Sequence, residues 1–361
     1  MILPNEHLIE ISRDSDIISG REGMVCLDRN ERVSEFPSDV FQEMLQRQSS
    51  SLFSIYPDLG PLYKRLSCQE DLPLERLSVG AGSDGLIRRV FQAFLSPGDL
   101  VLTPDPTYGM YAVWSRIFQA NYLGVPYGEG PDFKFNLDDL LNGIRKGARL
   151  CCIANPDQPT GTILSLEDLR KIADVARDAG ALLLIDEAYY PFHPVSARPL
   201  IDEYDNVVVL RTFSKVGGLA GLRIGFAMGD RSTMAVIQKV RSPGEVNSVG
   251  AAMACYLLEN PHVIETFKNE IERSRELLIK AIEKLGFEIP VCAANFQLMK
   301  TPGDINPARL LDELANRGYL IKGGFGHSTL KEYVRVSLDV PSIIEPFIKV
   351  MEDAVVELRR S

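Results

Sequence analysis

The sequence predicts an α/β fold: a large domain with a mainly parallel sheet covered by helices, joined to a smaller α+β domain. Three observations carry this prediction. Between residues 75 and 230, short aliphatic runs alternate with longer stretches of helical periodicity, the pattern of repeated strand–helix units. Several of those runs are apolar at every position, as strands buried on both faces must be. After Pro243 the pattern changes to long amphipathic helices and widely separated strand-like runs.

In chain order, the predicted strands of the large domain are 76–79, 100–103, 150–154, 181–185 and 207–210. Helical periodicity covers 85–95, 107–118 and 166–179, the last opened by Ser165 and Asp168 in the spacing of a capping box. The C-terminal third reads as helices at 250–259 and 262–285, strands at 294–300 and 333–338, and a closing helix at 343–358. The first forty residues have weak periodicity and read as an arm. With 361 residues the chain exceeds what one hydrophobic core organises. The expected division is an arm at 1–40 joining the small domain, a large domain at 41–243 and a small domain at 244–361.

Composition removes several classes. Hydrophobic residues at 45% and charged ones at 24% exclude a disordered, collagen-like or coiled-coil chain. A formal charge of −10 leaves no basic field for nucleic acid or an anionic membrane, so an anionic ligand needs a local cluster of Arg and Lys. The most apolar stretch, 248–258, is too short to span a bilayer. The first residues carry Glu6, Glu10 and Asp14 without a basic leader, which does not read as a signal peptide. Six cysteines without CxxC spacing read as reduced thiols in a cytoplasmic protein. His193, His262 and His327 show no ligand spacing, and no metal is expected.

Ligands of open α/β sheets bind at the carboxyl ends of the strands, so the segment after each strand is informative. Gly80-Ala81-Gly82-Ser83-Asp84-Gly85 follows the first strand, a GxGxxG that would suit a dinucleotide or any phosphate at a helix N-terminus. Later strands run into Asn155-Pro156-Asp157-Gln158-Pro159-Thr160-Gly161, Asp186-Glu187-Ala188-Tyr189 and Thr212-Phe213-Ser214-Lys215, with Arg223 shortly after. By itself, an Asp after a strand is ordinarily a helix cap, a Lys a solvated charge and a Tyr a core aromatic. A carboxylate, a strand-end lysine, hydroxyls and an arginine around one phosphate loop are what pyridoxal phosphate requires.

The joint pattern NPDQPTG, DEAY, TFSK and GLRIGF, in this order, resembles the fold-type I pyridoxal-phosphate-dependent aminotransferases of class I/II, in the histidinol-phosphate aminotransferase-like branch. The resemblance covers nearly the whole chain. It implies that Lys215 forms the cofactor Schiff base and shuttles the substrate proton, that Asp186 pairs with the pyridine nitrogen and that Tyr189 bonds the 3′ oxygen. Gln158 stands where the family usually places an asparagine on that oxygen. Tyr108 is implied to stack on the ring, and Gly82, Ser83, Asp84, Thr212, Ser214 and Arg223 to hold the phosphate. Tyr56 matches a tyrosine that reaches the neighbouring subunit's phosphate, which implies a homodimer with shared sites. Arg335 matches the arginine that grips the substrate α-carboxylate. Asn30 is implied to lie near the substrate, and Lys322 occupies the approximate place of a phosphate-binding arginine.

Two departures from the histidinol-phosphate enzymes are present: no tyrosine precedes Tyr56, and Lys322 replaces that arginine. The implied reaction transfers an amino group from an amino acid, glutamate being the expected donor, to a small carbonyl acceptor, a phosphorylated one included. The alternatives are a decarboxylase of a phosphorylated amino acid and, from the GxGxxG alone, a nicotinamide oxidoreductase.

Overall fold

The computed structural model describes residues 4–11, 20–128, 130 and 132–360; the rest of the expected arm, 1–3 and 12–19, lies outside the described residues. Its strands are β1 (Val25–Leu27), β2 (Leu77–Gly80), β3 (Leu100–Asp105), β4 (Asn121–Pro126), β5 (Ala148–Ala154), β6 (Leu182–Asp186), β7 (Val207–Thr212), β8 (Gly225–Gly229), β9 (Phe296–Lys300), β10 (Tyr319–Ile321) and β11 (Tyr333–Ser337). Seven of them form one sheet in the order β2-β8-β7-β6-β5-β3-β4. Only β8 runs against its neighbours, pairing antiparallel with both β2 and β7.

The apolar runs follow from two-sided burial. Side chains alternate across a strand. Ile153, Leu183, Ile185 and Val209 therefore pack with Leu169, Ile172 and Ala173 of helix Leu166–Asp178 on one face. Cys152, Leu184, Val208 and Leu210 pack with Leu86, Val90 and Phe91 of helix Gly82–Phe94 on the other. Each buried Val, Leu, Ile or Phe among them contributes about 1.5–3 kcal/mol.

The C-terminal third has its own core. The antiparallel pair β9–β11 packs Phe296, Val334 and Val336 against Phe267, Ile271 and Leu278 of helix Pro261–Lys284 and Phe347 and Met351 of helix Pro341–Arg360. The N-terminal segment joins it, since β1 pairs in parallel with β10. Tyr189, Phe192 and Val216, which follow β6 and β7 of the large sheet, belong to this second core as well. Helix Ser248–Glu259 does not: its Ala251, Ala254 and Leu257 pack in the core of the large sheet.

Four strands are absent from the sequence reading: the three-residue β1 and β10, and β4 and β8 of the large sheet. The edge strand β4 alternates exposed and half-buried residues and carries a glycine and a proline. β8 begins and ends in glycine, which hides it; a Cβ on Gly225 would stand 2.7 Å from the Arg211 carbonyl oxygen and 2.9 Å from the Gly82 carbonyl carbon. The helix expected from residue 85 starts at Gly82, so the GxGxxG is not a free loop: its third glycine lies in the first helical turn.

Candidate active site

The carboxyl ends of β2, β5, β6 and β7 open onto one cavity of about 130 Å³. Asp186 is the last residue of β6, and Lys215 stands three positions beyond the end of β7. Every residue assigned to the cofactor by resemblance lines this cavity except Gly82, which backs it, and Tyr56.

At one end lies the N-terminus of helix Gly82–Phe94, uncapped by any side chain, so its first N–H groups face the cavity without an intrahelical partner. Ser83 and Asp84 line it there. The Arg223 guanidinium lies directly against this helix start, and a Cβ on Gly82 (φ +73°) would stand 2.7 Å from its Nη2. Arg223 Nη1 donates to Ser214 Oγ at 3.3 Å, and Thr212 Oγ1 to the same oxygen at 3.0 Å. A helix N-terminus, a guanidinium and two hydroxyls form a cradle for a phosphate dianion.

The middle of the cavity holds two ionisable groups without counter-ions among the described residues. Asp186 is buried, accepts hydrogen bonds from Ala188 N at 3.1 Å and Tyr111 Oη at 3.4 Å, and makes no ion pair among the described residues. Burial pushes its pKa up to about 7, against the pull of those two donors. Lys215 Nζ donates to the Arg29 carbonyl at 3.0 Å and likewise has no ion pair among the described residues. Burial and the positive charge of Arg335 lower its pKa to about 8, so about a tenth of it is neutral at pH 7. Tyr108 lines the same space and meets Tyr111 edge-on, ring centroids 5.6 Å apart.

Beside them, Tyr189 Oη donates to Gln158 Oε1 at 2.5 Å. Arg335, on β11, reaches toward this end from the second core: Nη2 donates to the Asp28 carbonyl at 2.9 Å, while its buried Nε has no partner among the described residues. Burial lowers its pKa. Asn30 is fully buried and contacts Tyr189 and Gln158. Lys322 is joined to Arg335 only through backbone hydrogen bonds of 2.9 and 2.7 Å, and its residue is exposed. Tyr56 does not line this cavity and is 90% exposed.

A family model described as aminotransferase class I and II matches residues 37–342. The chain belongs to this family. It is a pyridoxal-phosphate-dependent aminotransferase, and the nicotinamide alternative is set aside. The histidinol-phosphate aminotransferase 1 of Carboxydothermus hydrogenoformans is 34% identical over 88% of this chain and 89% of its own. A crystal structure of histidinol-phosphate aminotransferase from Sinorhizobium meliloti, in complex with pyridoxal-5′-phosphate, superposes with a TM-score of 0.88 at 22% identity, covering 98% and 97% of the two chains. L-threonine-O-3-phosphate decarboxylase from Porphyromonas gingivalis shares the fold with a TM-score of 0.75 at 20% identity, covering 91% and 99%.

The aminotransferase cavity fits its cofactor on its own geometry. Asp186 is a buried carboxylate lacking a cation, the group a protonated pyridine nitrogen would neutralise. Glycine at residue 82 lets the Arg223 guanidinium sit against the helix start, and its φ of +73° favours glycine there. Sequence reasoning missed the supports around these groups. Asp157 accepts from Thr107 Oγ1 at 2.6 Å and Tyr127 Oη at 2.7 Å, tying the Tyr108 loop to the Gln158 loop. The Asp28 and Arg29 carbonyls hold Arg335 and Lys215. Neither has a sequence signal: Asp157 reads as a loop residue, and a carbonyl group is present at every position.

Proposed function

We propose that this aminotransferase moves an amino group from an amino acid, glutamate being the expected donor, to a small carbonyl acceptor of the histidinol-phosphate type, with Lys215 as covalent anchor and proton carrier. One observation carries this reading: a lysine and an aspartate, both without ion pairs among the described residues, share one cavity with an anion cradle built around Arg223. When bound, pyridoxal phosphate supplies the electron sink that stabilises negative charge at the substrate Cα. Asp186 keeps the pyridine nitrogen protonated, Tyr189 and Gln158 face its phenolic oxygen, and Tyr108 covers the ring. Ser83, Asp84, Thr212, Ser214 and Arg223 hold the phosphate. Lys215 Nζ, whose lowered pKa of about 8 leaves a minority neutral form at neutral pH, takes the Cα proton and returns it to the adjoining carbon. Arg335 Nε and Nη2 grip the substrate carboxylate, and Lys322 attracts a phosphorylated side chain from the rim. The acceptor class rests on the names of relatives at 30–34% identity.

A homodimer completes the site in this reading. Phe53, Ile55 and Tyr56 are 79%, 66% and 90% exposed next to one another, an apolar surface that a second copy would cover while Tyr56 reaches that copy's phosphate. The packing favours a large domain that runs through about residue 263, since Val263 closes its core, with the arm and the remaining residues forming the small one. No helix among the described residues is long and apolar enough to cross a membrane, and a cytoplasmic location agrees with six free cysteines.

The test is a half-reaction screen of purified holoenzyme against amino donors and phosphorylated carbonyl acceptors, reading pyridoxal-to-pyridoxamine conversion. Glutamate should convert the cofactor, and Lys215→Ala should slow that conversion at least about a thousandfold while cofactor still binds. Release of CO2 from a phosphorylated amino acid without that conversion would replace transamination by decarboxylation.

A further inference from the structure

The Tyr189 hydroxyl has one proton to give, and what it does in the cavity depends on where that proton points. Asn30 bears on this directly. Its Nδ2 donates to Tyr189 Oη at 2.8 Å, with a longer contact to Gln158 Oε1 at 3.4 Å. An amide nitrogen only donates. The phenol oxygen therefore receives a hydrogen bond from Asn30 and directs its own proton to Gln158 Oε1 at 2.5 Å, on the cavity side.

The amide orientation is fixed by the rest of its bonds. Asn30 N donates to Ser337 Oγ at 2.7 Å, and that hydroxyl donates back to Asn30 Oδ1 at 3.3 Å, which leaves Nδ2 facing the phenol. Asn295 Nδ2 donates to the Asn30 carbonyl at 3.1 Å. Every polar group of this fully buried residue is thus engaged by protein, leaving none for substrate. Its backbone is left-handed (φ 55°), a conformation non-glycine residues seldom adopt and asparagine tolerates best. On β11, Ser337 stands two positions beyond Arg335, on the same side of the strand. On the Asn30 segment, the preceding carbonyls, Asp28 and Arg29, hold Arg335 and Lys215.

We infer that Asn30 is a positioning residue that acts through Tyr189: by donating to the phenol oxygen it makes the hydroxyl a stronger donor and keeps its proton turned away from the Asn30 segment, toward Gln158 and the cavity that would hold the cofactor's phenolic oxygen. The inference rests on the function proposed above, which puts the cofactor's phenolic oxygen within reach of Tyr189. A phenol that donates strongly withdraws negative charge from that oxygen and loosens the proton held beside it at the Lys215 linkage. Loss of the Asn30 amide reverses this.

The readout is the midpoint of the pH titration of the visible band of holoenzyme, a property that a merely structural role does not move. Asn30→Gly removes the amide while accepting the left-handed backbone without cost. It should raise the midpoint by about half to one pH unit, the worth of one hydrogen bond. Asn30→Asp, whose carboxylate takes the phenol proton for itself, should raise it at least as far. Tyr189→Phe should also raise it, and adding Asn30→Gly to Tyr189→Phe should change nothing more. An unchanged midpoint in Asn30→Gly, or an equal added shift in the double variant, would overturn the inference while leaving the transamination reading intact. A purified protein that takes up no pyridoxal phosphate and shows no visible band would remove that reading, and the inference with it.

Discussion

Asp186 and Glu187 are consecutive carboxylates at one strand end, and their side chains go to opposite faces of the sheet into opposite circumstances. On the far face, Glu187 is fully buried and paired: Arg211 Nε donates to it at 2.9 Å, Ser196 Oγ donates at 2.9 Å and Ala197 N also donates. Arg211 Nη1 in turn reaches both oxygens of Glu70 at 2.9 Å, and its guanidinium lies 3.6 Å from the centroid of the Tyr190 ring. On the cavity face, Asp186 has two neutral donors and no cation among the described residues. The same alternation operates on β7, where Arg211 joins the paired cluster and Thr212 joins the cradle. The contrast teaches that burial of charge has two uses. A paired network fixes the strand ends in register, and an unpaired group stores an interaction for a ligand.

Breaking the far face should have the largest effect on stability. Arg211→Ala strands Glu187 and Glu70 in a dry interior, which should cost about 3–5 kcal/mol. Thermal unfolding of the apoenzyme measures this as a large fall in Tm, with the visible band of any folded, loaded fraction keeping its wild-type position. A normal Tm in Arg211→Ala would end the distinction drawn between the two faces.

Asp186→Asn should act in the opposite direction. A carboxylate whose folded pKa is raised from 3.8 to about 7 binds its proton more tightly in the native state, so its contribution to stability falls as pH rises from about 4 to about 7. The apo Asn variant lacks that loss and should be the more stable protein above pH 7, by at most about 4 kcal/mol. The advantage should vanish below about pH 4. The variant should be the poorer transaminase at every pH, since a neutral amide cannot hold the pyridine nitrogen protonated.

The smallest effect concerns Lys215, the cationic counterpart on the cavity face. Only its neutral amine attacks the cofactor aldehyde, so the rate of cofactor uptake by apoenzyme should rise with pH and level off above about 8. A midpoint near 10.5, the ordinary lysine value, would show that neither burial nor Arg335 perturbs the amine.

Much of this was legible in the chain. The apolar runs of β5, β6 and β7 locate strands because two-sided burial leaves no alternation, and the residues after them locate the cavity because parallel strands discharge at one edge. β8 was not legible, since its glycines serve close backbone approach and carry no hydrophobic signal. The association of helix Ser248–Glu259 with the large sheet was not legible either: its small apolar side chains suit either core, and only the observed packing chooses.

The local pattern of residues determined the strand ends, the lysine, the aspartate and the arginine of the cradle, because each chemistry sits within a few positions of a periodic element. Tertiary structure decided which carboxylate is left unpaired, how Asn30 meets Tyr189 across 159 positions, and how Ser337 fixes its amide across 307. Those contacts depend on the N-terminal segment folding back over two cores, and hydrogen bonds between such distant residues leave no periodic trace in a sequence.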